Sequence, residues 1–241
     1  MKGVILAGGK GTRLRPLTSS MPKPMVPLMQ KPVMQYSIEL LKKHGITDIA
    51  VTVHYLPEVI RDYFGDGSDF GVRLTYFEEF TPLGTAGSVK QAETFLDEPF
   101  VVISGDALTN FNLKEGIDFH QSRNSLVTVF MKEVDNPFSF GVIQTNQHNQ
   151  IIRFLEKPKV SECFSNTVNT GIYIMDPSIF SHMQEKVQLD FSLDVFPRVI
   201  DSGQLYGYHA NGYWSDIGTL KQYHQAQHDW LQMIDPEELA I

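Results

Sequence analysis

Short apolar runs alternate with amphipathic segments along the first hundred residues. Lys2–Ala7 is a β-type run. Val33–His44 carries apolar residues at Val33, Met34, Tyr36, Ile38, Leu40 and Leu41, a helical spacing that Gly45 would close as a C-cap. Asp48–Val53 predicts a strand, Glu58–Phe64 a helix, Val72–Phe77 a strand and Thr85–Leu96 a helix. Phe100–Ser104 is continuously apolar, as a strand buried on both faces requires. Alternation of this kind implies right-handed crossovers and a mostly parallel sheet.

The pattern changes in the second half. Leu126–Met131 reads as another sheet strand. Gly141–Thr145 and Ile151–Glu156 are β runs separated by five polar residues, which predicts a hairpin. Gly171–Met175 is a strand, followed by a helix started by Pro177. Leu193–Ile200 is helical in pattern despite Pro197, and Thr219–Met233 is a terminal helix. No repeat or linker-like stretch interrupts the chain, so one compact unit over residues 1–241 is expected.

Charge sharpens this picture. The 241 residues hold 20 Lys+Arg and 28 Asp+Glu, a formal net charge of −8. Residues 1–38 carry six basic side chains (Lys2, Lys10, Arg13, Arg15, Lys23, Lys31) and no acid. An acidic chain with one cationic segment is a poor general nucleic-acid binder, but it suits a small polyanion. The single cysteine, Cys163, excludes an internal disulfide and a cysteine zinc cage, and favours a reducing compartment. No apolar run approaches the ~18–20 residues that span a bilayer. The expectation is a soluble cytoplasmic protein with no membrane partner.

The cationic segment contains Gly8-Gly9-Lys10-Gly11-Thr12-Arg13-Leu14-Arg15-Pro16, directly after the first strand. Glycines there let backbone N–H groups approach phosphate oxygens, and a helix start would add a favourable dipole. A dinucleotide G-x-G-x-x-G fits Gly9 and Gly11 but meets Leu14 where a glycine is needed. Walker A fails because Gly11 follows Lys10. A tight structural turn remains the alternative. Further on, Pro22 and Pro24 restrict the backbone around Lys23.

These segments, in this order, resemble the sugar-phosphate nucleotidyltransferase family, whose pattern is strand, G-G-x-G-T-R-L-x-P-L-T, then P-K-P. The resemblance continues through Pro82-Leu83-Gly84-Thr85-Ala86-Gly87, Gly105-Asp106, Phe140-Gly141-Val142, Glu156-Lys157-Pro158, Asn169-Thr170-Gly171-Ile172-Tyr173 and Trp214-Ser215-Asp216-Ile217-Gly218. It covers nearly the full chain. It implies an α/β, Rossmann-like nucleotide-diphospho-sugar transferase fold of the GT-A-like type, with a mixed, mainly parallel central sheet. It also implies the reaction NTP + sugar 1-phosphate giving NDP-sugar + pyrophosphate. The P-L-G-T-A-G loop looks most like enzymes pairing GTP with mannose 1-phosphate. Glucose-1-phosphate enzymes making UDP-, ADP- or dTDP-glucose come next.

The resemblance assigns roles residue by residue. Leu6, Ala7, Gly8, Gly9, Gly11 and Thr12 would cradle the nucleotide, with Pro82, Gly84, Thr85 and Gly87 at the base and Asp106 nearby. Arg13 would stabilise the leaving pyrophosphate, and Lys23 would bridge the α-phosphate and the incoming sugar phosphate. Gly141, Asn169, Thr170 and Gly171 would contact the sugar, Glu156 its hydroxyls and Lys157 its phosphate. Asp106 and Asp216 would hold Mg²⁺, which takes one or two carboxylates and completes its shell with water and phosphate. The attacking phosphate is already a nucleophile, so catalysis would be positioning plus charge neutralisation.

Plainer readings stand beside these. Asp106 suits a turn after a strand, and Asp216 suits a helix N-cap. Asn110 and Asn112 stand where the family often carries acids, which would lower local negative charge. His224 and His228, spaced i, i+4, fit a solvated helix face. Tyr213 and Trp214 suit either sugar stacking or the core. Asp190-Phe191-Ser192-Leu193 is assigned no role. Relatives commonly oligomerise, so a homo-oligomer is a possible assembly. A catalytically silent relative of the same fold is the main competing class, and it would typically lack Arg13, Lys23 or a metal aspartate.

Overall fold

A computed structural model describes residues 1–184 and 187–233. The first half runs β1 (Lys2–Leu6), the ribbon β2 (Pro27–Leu28) and β3 (Lys31–Pro32), α1 (Val33–Lys43) and β4 (Asp48–Val53). It continues with α2 (Pro57–Phe64), β5 (Arg73–Glu78), α3 (Gly84–Gln91) and β6 (Phe100–Ser104). The second half runs β7 (Ala107–Thr109), α4 (Leu113–Arg123), β8 (Val127–Glu133), β9 (Gly141–Thr145) and β10 (Ile151–Glu156). β11 (Thr167–Met175), α5 (Phe196–Asp201), β12 (Leu205–His209), β13 (Trp214–Asp216) and α6 (Leu220–Met233) complete it.

The main sheet has the order β10-β9-β11-β6-β1-β4-β5, with β8 paired to β11 and β12 to β8. β6, β1, β4 and β5 are parallel. β11 runs antiparallel to β6, and β9 with β10 forms the expected hairpin. The mixed, mainly parallel α/β sheet is therefore as read from the sequence. Successive side chains of a strand face opposite sides. Phe100 and Val102 accordingly join one buried cluster, and Val101 and Ile103 the other. A third, smaller cluster gathers Leu14, Val26, Leu28, Leu108, Ile217 and Tyr223, away from the sheet faces.

Local chemistry accounts for several boundaries. α1 ends as expected: Gly45 has φ +75°, its N–H reaches Lys42 O (2.9 Å), and Ile46 N–H reaches Leu41 O (3.0 Å). The predicted Thr85–Leu96 helix is shorter, because turns replace helix after Gln91. The Pro177 segment is a 3₁₀ helix, Pro177–His182, capped by the Asp176 side chain. Leu193–Ile200 resolves into a π turn, Phe191–Val195, followed by α5. Pro197 fits because it lies in the first turn of α5, where its missing N–H has no intrahelical partner to lose. β11 is longer than expected, and its register with β8 breaks between Asn169 and Tyr173 around Gly171, whose φ is +75°. That irregularity leaves Thr170, Gly171 and Ile172 without ladder partners in β8, while Asn169 stays paired with Met131.

Candidate active site

The carboxyl ends of β1, β4, β5 and β6 open into one cavity of about 300 Å³, the edge where open α/β sheets bind ligands. Leu6, Gly8 and Gly9 line it from β1, and Thr52 and His54 from β4. Glu79 enters from β5, and Ser104 and Asp106 from β6. Pro82, Gly84 and Thr85 line it from the entry to α3.

The glycine loop positions Lys23. Gly11 has φ +64°, and a Cβ there would come 2.9 Å from Thr18 Cγ2 and 3.0 Å from Lys23 Cβ. The Thr18 hydroxyl donates to Gly11 O (2.6 Å), and Lys23 N–H donates to Gly9 O (3.2 Å). The loop leads into a 3₁₀ turn, Thr12–Leu14, rather than the α-helix whose dipole the sequence suggested. Together these ties direct the lysine side chain into the cavity.

Its ammonium meets two carboxylates. Lys23 Nζ donates to Asp106 Oδ2 and lies 3.6 Å from Asp216 Oδ1. The two aspartates converge because β13 pairs with β7, setting Asp216 opposite Ala107, while Ile217 N–H donates to Asp106 O (3.1 Å). Ser104 donates its hydroxyl to Asp106 Oδ1. Burial works against the Lys23 charge, but Asp106 and Asp216 outweigh it and hold the pKa above the usual lysine value. Burial also opposes ionisation of Asp106, and the Lys23 charge with bonds from Lys23 and Ser104 holds its pKa below the ordinary range. Burial and the Asp106 charge push Asp216 up to about 7, with Lys23 and Arg13 pulling the other way. Two convergent carboxylates that cannot easily both stay charged could hold a cation between them. The set is hard oxygen, which suits Mg²⁺.

A second cavity of about 260 Å³ adjoins the first and shares Lys23, Thr85, Ser104 and Asp106 with it. Gly141, Glu156, Lys157, Asn169, Thr170 and Gly171 all line it, beside Arg13 and Asp216. Trp214 lines it too, fixed by its indole N–H to Thr170 O (3.0 Å) and packed edge-on against Phe140. At Gly141 a Cβ would meet Phe154 Cζ at 2.4 Å and Glu156 Oε2 at 2.8 Å, so a side chain there would displace the carboxylate. Lys157 adopts φ +46°, an uncommon conformation for a residue with a side chain.

Most expected site residues thus meet around two joined cavities. Five lie differently. Arg13 lines the second cavity near Asp216 rather than the first. Ala7, Gly11 and Thr12 line neither, and Gly87 faces a separate groove with Phe80 and Lys90. The asparagines are structural: Asn110 Oδ1 accepts from Tyr213 N–H (2.7 Å), and Asn112 caps α4. Asp216 is no helix cap, because the Thr219 hydroxyl accepts from Gln222 N–H (3.2 Å) at the start of α6. His224 and His228 are exposed, as a solvated face requires. The sequence reading missed Thr52, His54, Glu79, Ser104 and Asp190. The first four stand at or just after the carboxyl ends of parallel strands, and that position was the available signal.

Residues 2–233 match the sequence profile of the nucleotidyl transferase family. A UTP–glucose-1-phosphate uridylyltransferase of Synechocystis sp. is 40% identical over 241 residues, 94% of this chain and 62% of that protein. This chain therefore spans less than two thirds of that relative's length. A mannose-1-phosphate guanyltransferase 2 of Candida glabrata is 38% identical over 249 residues, 100% of this chain and 68% of its own. A Bacillus anthracis protein assigned as a glucose-1-phosphate thymidylyltransferase, solved with a sucrose, superposes with a TM-score of 0.87. It is 30% identical and covers 98% of this chain and 96% of its own. Among the described residues no helix is long and apolar enough to cross a membrane. Motif order, sheet topology and profile agree, and the chain belongs to the nucleotidyl transferase family.

Proposed function

We propose that the protein transfers a nucleotidyl group from an NTP to a sugar 1-phosphate, releasing pyrophosphate, with GTP and mannose 1-phosphate the favoured pair. The observation that carries this reading is the pair of joined cavities sharing Lys23 and Asp106. The first cavity takes the nucleoside and the second the sugar. Their junction is where an acceptor phosphate oxygen would face the α-phosphorus.

The acceptor is anionic and needs no general base, so positioning and charge neutralisation are what remain. Lys23 spans the junction and would hold both phosphates. Arg13 presents a planar guanidinium suited to phosphate oxygens on the sugar side. Lys157 would hold the sugar phosphate, and Glu156 would accept from sugar hydroxyls. Asp106 and Asp216 would hold Mg²⁺; bound there, the ion neutralises phosphate charge and orients the α-phosphate. The presence of Arg13, Lys23, Asp106 and Asp216 together favours an active enzyme over a silent relative. The single cysteine supports a cytoplasmic setting.

Glu79 supports the guanine preference. It is buried, its Oε2 accepts from Leu83 N–H (3.0 Å), and Oε1 lies beside Gly8. A carboxylate accepts, and guanine offers two adjacent donors, N1–H and the 2-amino group. Uracil offers one N–H, and adenine presents an acceptor at N1. Sites built on such bonds discriminate strongly against bases that lack the donor. Uridylyl transfer to glucose 1-phosphate is the second reading.

Pyrophosphate release from four NTPs paired with mannose, glucose and N-acetylglucosamine 1-phosphates tests the proposal. GTP with mannose 1-phosphate should react fastest, and chelation of Mg²⁺ should stop it. No pyrophosphate from any pair refutes the enzyme; ATP as the best donor refutes the role of Glu79.

A further inference from the structure

We infer that Thr85 and Asp190 clamp the nucleotide loop to the sugar-side wall, so that a ligand in one cavity prepares the other. The inference rests on the proposed function, and it makes the Thr85 hydroxyl a positioning group rather than a hydrogen-bond donor to the nucleotide.

The first ground is hydrogen-bond capacity. A threonine hydroxyl has one donor and two acceptor sites. Thr85 donates to Asp190 Oδ2 (3.0 Å) and accepts from Phe191 N–H (3.0 Å). Its donor is therefore committed to the segment after Leu189 and is not free for a ligand. The second ground is how tightly that segment is bound to the loop. Leu189 N–H donates to Leu83 O (2.8 Å), and Ala86 and Gly87 N–H groups donate to Leu189 O (3.0 and 3.2 Å). At Gly84, with φ +74°, a Cβ would lie 2.4 Å from Leu189 O, so the two backbones are in contact.

The other end of the clamp reaches the sugar side. Asp190 lines the second cavity, and its Oδ1 accepts from Ser192 N–H (2.8 Å) and Leu193 N–H (3.3 Å), capping the π turn. Phe191 packs on Tyr173 with ring centroids 5.4 Å apart. Asn169 donates to the Tyr173 hydroxyl (2.9 Å), and both line the second cavity. One contiguous set of contacts thus runs from the nucleotide loop to the sugar wall.

The clamp also has a physical trigger. Thr85 lines both cavities and is exposed at their junction. A ligand in either cavity removes it from water, which strengthens its bonds to Asp190 and Phe191. The loop and the wall are then ordered together, and the second ligand loses less freedom on binding.

Calorimetry in Mg²⁺ with the α,β-methylene analogues of GTP and UTP, which bind without turnover, reads the coupling directly. Mannose and glucose 1-phosphates should bind the wild-type protein about 5-fold or more tighter with an analogue present. Thr85→Val should bring that ratio close to one, while Thr85→Ser, which keeps the hydroxyl, retains it. Thr85→Ala removes the same hydroxyl with a smaller side chain, so it gives a second break if Thr85→Val does not fold. A wild-type ratio of one, or an unchanged ratio in a folded Thr85→Val or Thr85→Ala, overturns the inference and leaves the proposed function standing. If neither analogue binds the wild-type protein, the proposed function fails and takes the inference with it.

Discussion

Replacing Lys23 by methionine keeps the stem and removes the ammonium from between Asp106 and Asp216. The 3.6 Å separation from Asp216 Oδ1 corresponds to about 4–5 kcal/mol of attraction at an effective dielectric of 20. The closer contact with Asp106 adds to it, and desolvation of the buried ammonium offsets much of both. Removing one partner of a buried pair costs about 3–5 kcal/mol. Asp216 keeps 27% of its side chain exposed, and solvent screening there discounts the cost to about 2–4 kcal/mol. At a urea slope of ~2–3 kcal/mol/M, the midpoint should fall by about 1 M in EDTA. Mg²⁺ at a hundred times its Kd should return ~2.7 kcal/mol to the variant. Its effect on the wild-type protein should be smaller, because there the ion must first displace Lys23 from the same carboxylates. Urea unfolding of both proteins with EDTA and with Mg²⁺ measures all four midpoints. Equal midpoints in EDTA, or an equal Mg²⁺ gain in both proteins, would refute the idea that lysine and metal compete for one site.

Two further predictions concern the scaffold. At Gly116 in α4 a Cβ would lie 2.1 Å from Phe130 Cζ. Gly116→Ala gains about 1 kcal/mol of helix propensity, but overpacking against a fully buried ring costs more, so a net loss of ~1–2 kcal/mol is expected. A higher urea midpoint would contradict it. Burial lowers the pKa of His120 to about 4, against a weaker opposing effect of Asp176, with Nδ1 held 3.0 Å from Thr128 Oγ1. The unfolded chain takes up this proton near pH 6.5 and the folded protein only near pH 4. Stability is therefore unaffected above pH 6.5 and declines as pH falls from 6.5 to 4, by up to ~1.4 kcal/mol per unit. The difference in midpoint between wild type and His120→Gln should change over that window; a pH-independent difference removes His120 as the cause.

The strands of the parallel core were legible because burial on both faces leaves an almost purely apolar run, as at Phe100–Ser104. α4 was not, because its buried positions are Leu113, Gly116 and His120, and a glycine and a histidine break the apolar period. β12 hides in the same way, since its fully inward positions are Leu205 and Gly207. Thr85–Leu96 was read too long because Ala92 and Leu96 continue the period after the backbone has left the helix. In the site, contiguous motifs such as Gly8–Thr18 and Asn169–Tyr173 carry their own signal. Glu79 and His54 are single residues whose placement comes from strand order alone. Asp190 gains its contacts from Thr85, 105 residues away, which no local pattern can register.

The small third cluster separates the anchorage of the arginine loop from that of the sheet. Leu14, next to Arg13, is buried among Val26, Leu28, Ile217 and Tyr223, and the Tyr223 hydroxyl reaches Pro27 O (2.6 Å). The helix that carries Tyr223 is thus a strut for Arg13 rather than a wall of the main core. Trimming or proteolytic nicking within α6 would slacken the guanidinium's foothold while β6, which carries Ser104 and leads into Asp106, stayed in register. Such a protein would keep its nucleus and lose its grip.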